Sequence, residues 1–246
     1  QAPAGLDDLV GEVTAGRTVP GLLDDYDAVL WRDGDPDPAE LRRIAAQVLG
    51  DPDRLPYPTM RLLWQARMDR IADWFAEGEV ARRRQARPQH FEIKGRAEIP
   101  ELGFVLSAKA DRIDMDERGG AHIYDYKTGA APSKPQQLHF DKQLLLEAAM
   151  VEQHAFAGLA PRHVARAIYI SLSPSAPKEV PAPLEDQPPA EVWADFTKLV
   201  ARMLDADQGY TARRALQKDT DSGDYDHLAR FGEWDVTDRP EKERLE

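Results

Sequence analysis

The stretch Ile123-Tyr124-Asp125-Tyr126-Lys127-Thr128-Gly129 sets an acid and a lysine two residues apart between tyrosines, then breaks at Thr-Gly. Read as a strand, it presents alternate side chains on one face. Asp125 and Lys127 therefore point one way, and Tyr124 and Tyr126 the other. The acid and the amine stand at the C-terminal end of the strand, where ligands commonly meet the chain as it leaves a sheet. Charged edge strands carry the same pattern, so the pair by itself leaves two readings open: a solvated strand end, or half of a site.

The residues upstream narrow the choice. A Gly119-Gly120 turn precedes the stretch, and before it Phe104, Leu106, Ala108 and Ala110 alternate with Val105, Ser107, Lys109 and Asp111. Phe91 and Ile93 alternate with Glu92 and Lys94 earlier still. The pattern predicts a meander of three strands with short connections. Asp111 falls on the hairpin neighbour of the Asp125 strand, and Glu92 is available on the strand before that. Gln143 opens a helical segment soon after (Gln143-Leu144-Leu145-Leu146-Glu147). Two carboxylates converging beside a lysine suit phosphodiester hydrolysis. Hard oxygen ligands hold Mg²⁺ or Mn²⁺, and the ion polarises the phosphate and acidifies a bound water. The lysine positions or deprotonates that water, or steadies the pentacovalent oxygens.

Outward from this centre, Asp37-Pro38-Ala39-Glu40 reads as an N-cap, a proline at the first helical position and an acidic first turn. Leu41, Ile44, Ala45 and Val48 form the apolar stripe, and Gly50 the stop. Met60, Leu63, Trp64, Met68, Ile71, Trp74 and Phe75 recur at helical spacing from Thr59 to about Arg84, with the aromatics as helix core. Arg82, Arg83, Arg84 and Arg87 at its end read as solvated complements of the helix dipole, or as a phosphate-facing patch. A helix is expected near 136–156 and a strand near 164–172. A Pro-rich linker over 173–189 and a last helix near 190–205 follow. A further helical piece is expected around 22–31. Residues 1–58 are taken as an N-terminal helical segment, 59–210 as the core and 211–246 as a polar tail. The order helix, three strands, helix, strand, helix predicts an α/β fold, a mixed sheet flanked by helices.

Composition sets limits. The 246 residues contain no cysteine, which removes disulfides, thiolate nucleophiles and cysteine-bound clusters and fits a reducing cytosol. No apolar run approaches a membrane span, and no Gly-rich loop with a following Lys-Ser/Thr is present for nucleotide hydrolysis. A net charge of −12 opposes a generic nucleic-acid coat but suits carboxylates gathered round cations. The start at Gln1, without an initiator Met, reads as a piece of a longer polypeptide.

Taken in order, Ala108–Asp114 (AKADRID), Tyr124–Gly129 (YDYKTG) and Gln143–Ala148 (QLLLEA) resemble the nuclease domains of the PD-(D/E)XK superfamily, RecB-like branch. With the tail run Asp224-Tyr225-Asp226-His227-Leu228-Ala229-Arg230, they are similar to the C-terminal nuclease domain of the alphaproteobacterial AddB family. The resemblance covers about residues 59–235. It implies a restriction-endonuclease-like core and a Mg²⁺- or Mn²⁺-dependent exonuclease acting on DNA in double-strand break repair and recombination. It also implies an AddA-like helicase–nuclease partner and a cytoplasmic, nucleoid-associated setting. Asp111 and Asp125 are then metal ligands, with the Tyr126 carbonyl completing the shell and Lys127 as the catalytic lysine. Glu92 matches the acid of the first core strand. Gln143 matches the family's glutamine, which orients the site or contacts DNA. Asp114 is assigned to structure, paired with Arg112 or a neighbour.

Two departures accompany the resemblance. The family's His or Glu on a helix before the sheet has no clear counterpart, since residues 1–89 contain no histidine. Either Asp24, Asp25 or Asp27 substitutes, or the ligand lies outside the chain, or the site is weakened. The iron–sulfur cluster of many AddB proteins is ruled out by the missing cysteines. Two other readings stand beside the nuclease: a catalytically silent module that grips DNA or a partner subunit, and a freestanding exonuclease of the CRISPR-associated RecB-like kind.

Overall fold

Helix α1 (Pro38–Gly50) begins where the capping pattern places it: the Asp37 carboxylate accepts from Ala39 N–H at 2.9 Å, and Pro38 stands in the first turn. The computed structural model describes residues 36–52, 56–173, 175–209, 223, 226–228, 230, 232–235 and 237–239. The helical piece expected at 22–31, the acids Asp24, Asp25 and Asp27, and Asp224 and Tyr225 of the tail lie outside the described residues. Helix α2 (Pro58–Arg83) runs 26 residues and packs Ile71, Ala72, Phe75 and Ala76 inward.

Five strands form one sheet in the order β1-β2-β3-β4-β5: β1 Arg87–Ile99, β2 Phe104–Met115, β3 Ala121–Lys127, β4 Val164–Ser171 and β5 Lys178–Pro181. The first three pair antiparallel as the meander expected from the sequence, β3 and β4 pair parallel, and β5 returns antiparallel. The β3–β4 crossover carries two short helices, α3 (Lys134–His139) and α4 (Gln143–Glu152), and α5 (Pro189–Leu204) closes the described core. The α/β architecture read from the sequence is the one observed. No helix among the described residues is long and apolar enough to cross a membrane.

The sheet separates two cores. On one face Tyr124, Ile168 and Ile170 pack against Leu41, Ala72, Phe75 and Ala76 of α1 and α2. On the other, Ile113, Ile123 and Tyr169 pack against Leu144, Ala148 and Met150 of α4. Period two along β3 produces this division: Tyr124 turns to α2, while Ile123 and Asp125 turn to α4. Gly95 of β1 lies against the second core so closely that a Cβ there would stand 2.6 Å from the Phe156 ring.

Four sequence expectations are corrected. The strand seen around 91–95 extends over 13 residues, from Arg87 to Ile99. The single helix expected at 136–156 is two helices, because Phe140 leaves helical geometry (φ −128°, ψ −52°) and both Phe140 N–H and Asp141 N–H return to the Gln136 carbonyl. The Pro-rich linker hides β5. Arg82 is neither solvated nor phosphate-facing. It is 3% exposed, bonded to Glu79 at 3.0 Å and to Glu179 at 2.5 Å.

A buried ionic cluster fills the α2 face of the meander. Arg112 is fully buried and clamps Asp114 with two bonds of 2.6 Å, reaches Glu79 at 2.7 Å and donates to the Tyr126 hydroxyl at 3.2 Å. Arg112 is one of the partners that the sequence reading left open for Asp114. Burial alone would push Glu79 up, but Arg112, Arg82 and Arg83 outweigh it and hold the carboxylate below its ordinary range.

Candidate active site

The β2–β3 ladder stops short. Paired positions run from Met115↔Ala121 to Arg112↔Tyr124, and beyond them β3 is held by β4 as far as Lys127↔Ser171. The sheet therefore forks where Asp111 on β2 and Asp125 on β3 face each other. Tyr126 N–H, released from the ladder, donates instead to Asp111 Oδ2 at 2.9 Å. The fork makes room between two carboxylates that a continuous ladder would fill with backbone.

Three of the expected residues meet in a closed triangle. Lys127 Nζ donates to Gln143 Oε1 at 2.7 Å and stands 3.0 Å from Asp125 Oδ2, and Gln143 Nε2 donates to Asp125 Oδ1 at 2.5 Å. The break at 140–142 produces this contact by making Gln143 the first residue of α4. Helical side chains lean toward the N-terminus, so that position aims Gln143 back at the end of β3. The Lys127 ammonium also sits 5.4 Å from the centre of the Tyr169 ring. Glu92 stands apart from the triangle. It adopts φ +50° on β1, a left-handed conformation unusual for glutamate, and pairs with Lys109 of β2.

Electrostatics mark the same spot. Burial, reinforced by the Asp125 charge, pushes the Asp111 carboxyl up to about 6 against the Tyr126 N–H bond and the neighbouring lysines. Burial likewise raises Asp125, opposed by Lys127 and Gln143. Asp125 Oδ2 is buried and stands 3.0 Å from the Lys127 ammonium, with no other hydrogen-bond partner among the described residues. Two buried acids of raised proton affinity, Asp111 raised further by the Asp125 charge, fit a divalent cation better than they fit a resting ion-free pair. Among the described residues no three His, Asp or Glu side chains gather round one point.

Two residues of this locality carried no role in the sequence reading. Tyr169 donates to Asp141 at 3.2 Å, accepts from Leu144 N–H at 3.3 Å and floors Lys127. Glu147 accepts from Gln143 Nε2 at 3.2 Å, is 4% exposed, and leaves its other oxygen unbonded. A glutamate one turn after Gln143, between the apolar runs Leu144–Leu146 and Ala148–Val151, was the available signal for it.

Burial, with Asp125 and Asp111 adding to it, pushes Glu147 up to about 8. The folded, metal-free protein therefore keeps a proton that the unfolded chain gives up near 4.5. Its contribution to stability is present at low pH and drains away as pH rises from about 4.5 to about 8. Urea midpoints measured across that window in chelator should fall with pH. Glu147→Gln should flatten the slope, and an unchanged slope in that variant would refute the assignment.

A family model described as the PD-(D/E)XK nuclease superfamily matches residues 7–222. The chain belongs to that superfamily. Among curated proteins, this PD-(D/E)XK nuclease chain is similar to an uncharacterized protein of Rickettsia typhi, at 30% identity over 97 residues. That match takes in 38% of this chain and 11% of the relative. An uncharacterized protein of Rickettsia bellii is 30% identical over 96 residues, 38% of this chain and 12% of its own length. The matched part is thus a small portion of much longer polypeptides.

Proposed function

We propose that this PD-(D/E)XK nuclease module hydrolyses the phosphodiester backbone of DNA ends, as the cutting part of a helicase–nuclease in double-strand break processing and recombinational repair. The observation that carries the reading is the Lys127–Gln143–Asp125 triangle beside the Asp111 carboxylate at the strand fork. Asp111, Asp125 and the Tyr126 carbonyl would hold a Mg²⁺ or Mn²⁺ ion. Glu92 would serve from β1 once freed from Lys109. The ion, when bound, supplies Lewis-acid polarisation of the phosphate and an acidified water.

The chain's own groups do the rest. Gln143 presents its oxygen to Lys127 and its nitrogen to Asp125, so the ammonium is held beside the acids with its third proton left for substrate. Lys127 then faces the phosphate oxygens as negative charge builds on them. The net charge of −12 disfavours tight DNA binding by the chain alone, which fits delivery of single-stranded ends by an AddA-like motor subunit in the cytoplasm.

The test is cleavage of end-labelled single- and double-stranded DNA in Mg²⁺, Mn²⁺ or chelator. Cleavage should require the ion, and Lys127→Met should lower the rate by about 10²–10³-fold. Ion-independent cutting, or full activity in the lysine variant, would overturn the reading. Absence of cutting with retained DNA binding would favour the silent module.

A further inference from the structure

Tyr126 ties the fork on both of its faces. Toward α4 its backbone N–H donates to Asp111 Oδ2 at 2.9 Å, and toward α2 its hydroxyl accepts from Arg112 at 3.2 Å. Both partners lie on β2 and are adjacent in sequence, so the two bonds straddle the strand that β3 has just left. Arg112 cannot drift, because it is fully buried and bonded to Asp114 and Glu79, and Glu79 is itself locked by Arg82 and Arg83. The phenol ring is further held by Phe75 at 6.2 Å between ring centres.

We propose that Tyr126 is a positioning residue: the buried Arg112 cluster, acting through the Tyr126 hydroxyl, fixes the β3 backbone that orients Asp111 and carries the carbonyl next to Asp125. This inference rests on the metal-site reading above and adds to it the Tyr126 hydroxyl and the Arg112 cluster, neither of which touches substrate or ion. Without the hydroxyl bond, the end of β3 would answer only to β4 and to the Asp111 bond. The N–H and carbonyl of residue 126 could then rotate, and the gap between the acids would lose its set width. Groups that orient ligands from behind commonly alter metal affinity or activity by about 10–100-fold.

Tyr124 supplies the control. It lies on the same strand and the same face, it is fully buried, and its hydroxyl has no hydrogen-bond partner among the described residues. Tyr126→Phe and Tyr124→Phe therefore remove the same atom from neighbouring positions, one bonded and one not. Mn²⁺ affinity of the full chain is measured by calorimetry, alongside thermal melts and cleavage kinetics. Tyr126→Phe should weaken Mn²⁺ binding by about 10-fold and lower kcat with little change in KM, while its melting curve stays near wild type. Tyr124→Phe should leave Mn²⁺ affinity unchanged. Asp125→Asn, run in parallel, should abolish Mn²⁺ binding. If it does and Tyr126→Phe binds Mn²⁺ like wild type, the strut is refuted and the metal site stands. If Asp125→Asn binds Mn²⁺ normally, the metal-site reading itself falls. Equal weakening in both tyrosine variants would mark a packing effect and also refute the strut.

Discussion

Asp125→Asn is expected to leave DNA uncut in Mg²⁺ or Mn²⁺, with the rate falling about 10³-fold or more. The substitution keeps the side chain's size and an oxygen to accept from Gln143, so folding should survive while the charge is lost. Asp125 is 3% exposed, and a divalent ion would replace the solvation this carboxylate gave up. Removing the charge takes away one ligand and leaves Lys127 without its counter-ion, so ion binding and ammonium placement fail together. A Lewis-acid contribution of several kcal/mol corresponds to this size of loss, at about 1.4 kcal/mol per tenfold. Cleavage within a few-fold of wild type, in a variant with a native circular dichroism spectrum, would remove the nuclease assignment from this site.

Arg112→Met is expected to be the most destabilising single change on the opposite face, at roughly 3–5 kcal/mol. Methionine fills much of the volume but strands Asp114, whose two oxygens both bond Arg112 at 2.6 Å in a fully buried position. Glu79 suffers less, because Arg82 and Arg83 remain bonded to it. Burial already raises the Asp114 carboxyl despite its partner, so without Arg112 it would fold only as the neutral acid. Urea denaturation measures the loss, and Asp114→Asn added to Arg112→Met should restore part of it. A change below about 1 kcal/mol would show that the cluster is not holding the meander.

The parts of this molecule legible from sequence were those governed by local rules. The cap at Asp37, the stripe of α2 and the alternation around Asp125 depend on neighbours a few residues away, and they were read from them. The β1 extension was hidden because residues 87–90 (Arg-Pro-Gln-His) show no apolar alternation, and pairing with β2 imposes the strand. The 140–142 break was hidden because helix-forming residues continue across it. Its cause is tertiary, with Tyr169 and Gln187 bonding Asp141 and Lys142 from elsewhere in the chain. Arg82 misled because a basic residue at a helix end is ordinarily solvated, whereas its partner Glu179 lies 97 residues away on a strand that composition disguised as linker. At the site, the spacing of Asp125, Lys127 and Gln143 was visible. The fork that gathers them was not, because a ladder's end is a property of three strands at once.

The margins of the sheet carry a consequence of their own. Strand β5 has four residues, opens on a lysine and closes on a proline, so it offers an incoming strand almost no backbone to grip. At the far margin β1 is long, but its register shifts between Pro88 and His90, Glu92 turns left-handed, and Gly95 and Arg96 are already engaged by Phe156 and Ala155. Neither border is a template on which another chain could continue the sheet. A sheet bordered this way resists edge-to-edge aggregation once folded and keeps its hydrogen-bonding to itself in crowded surroundings.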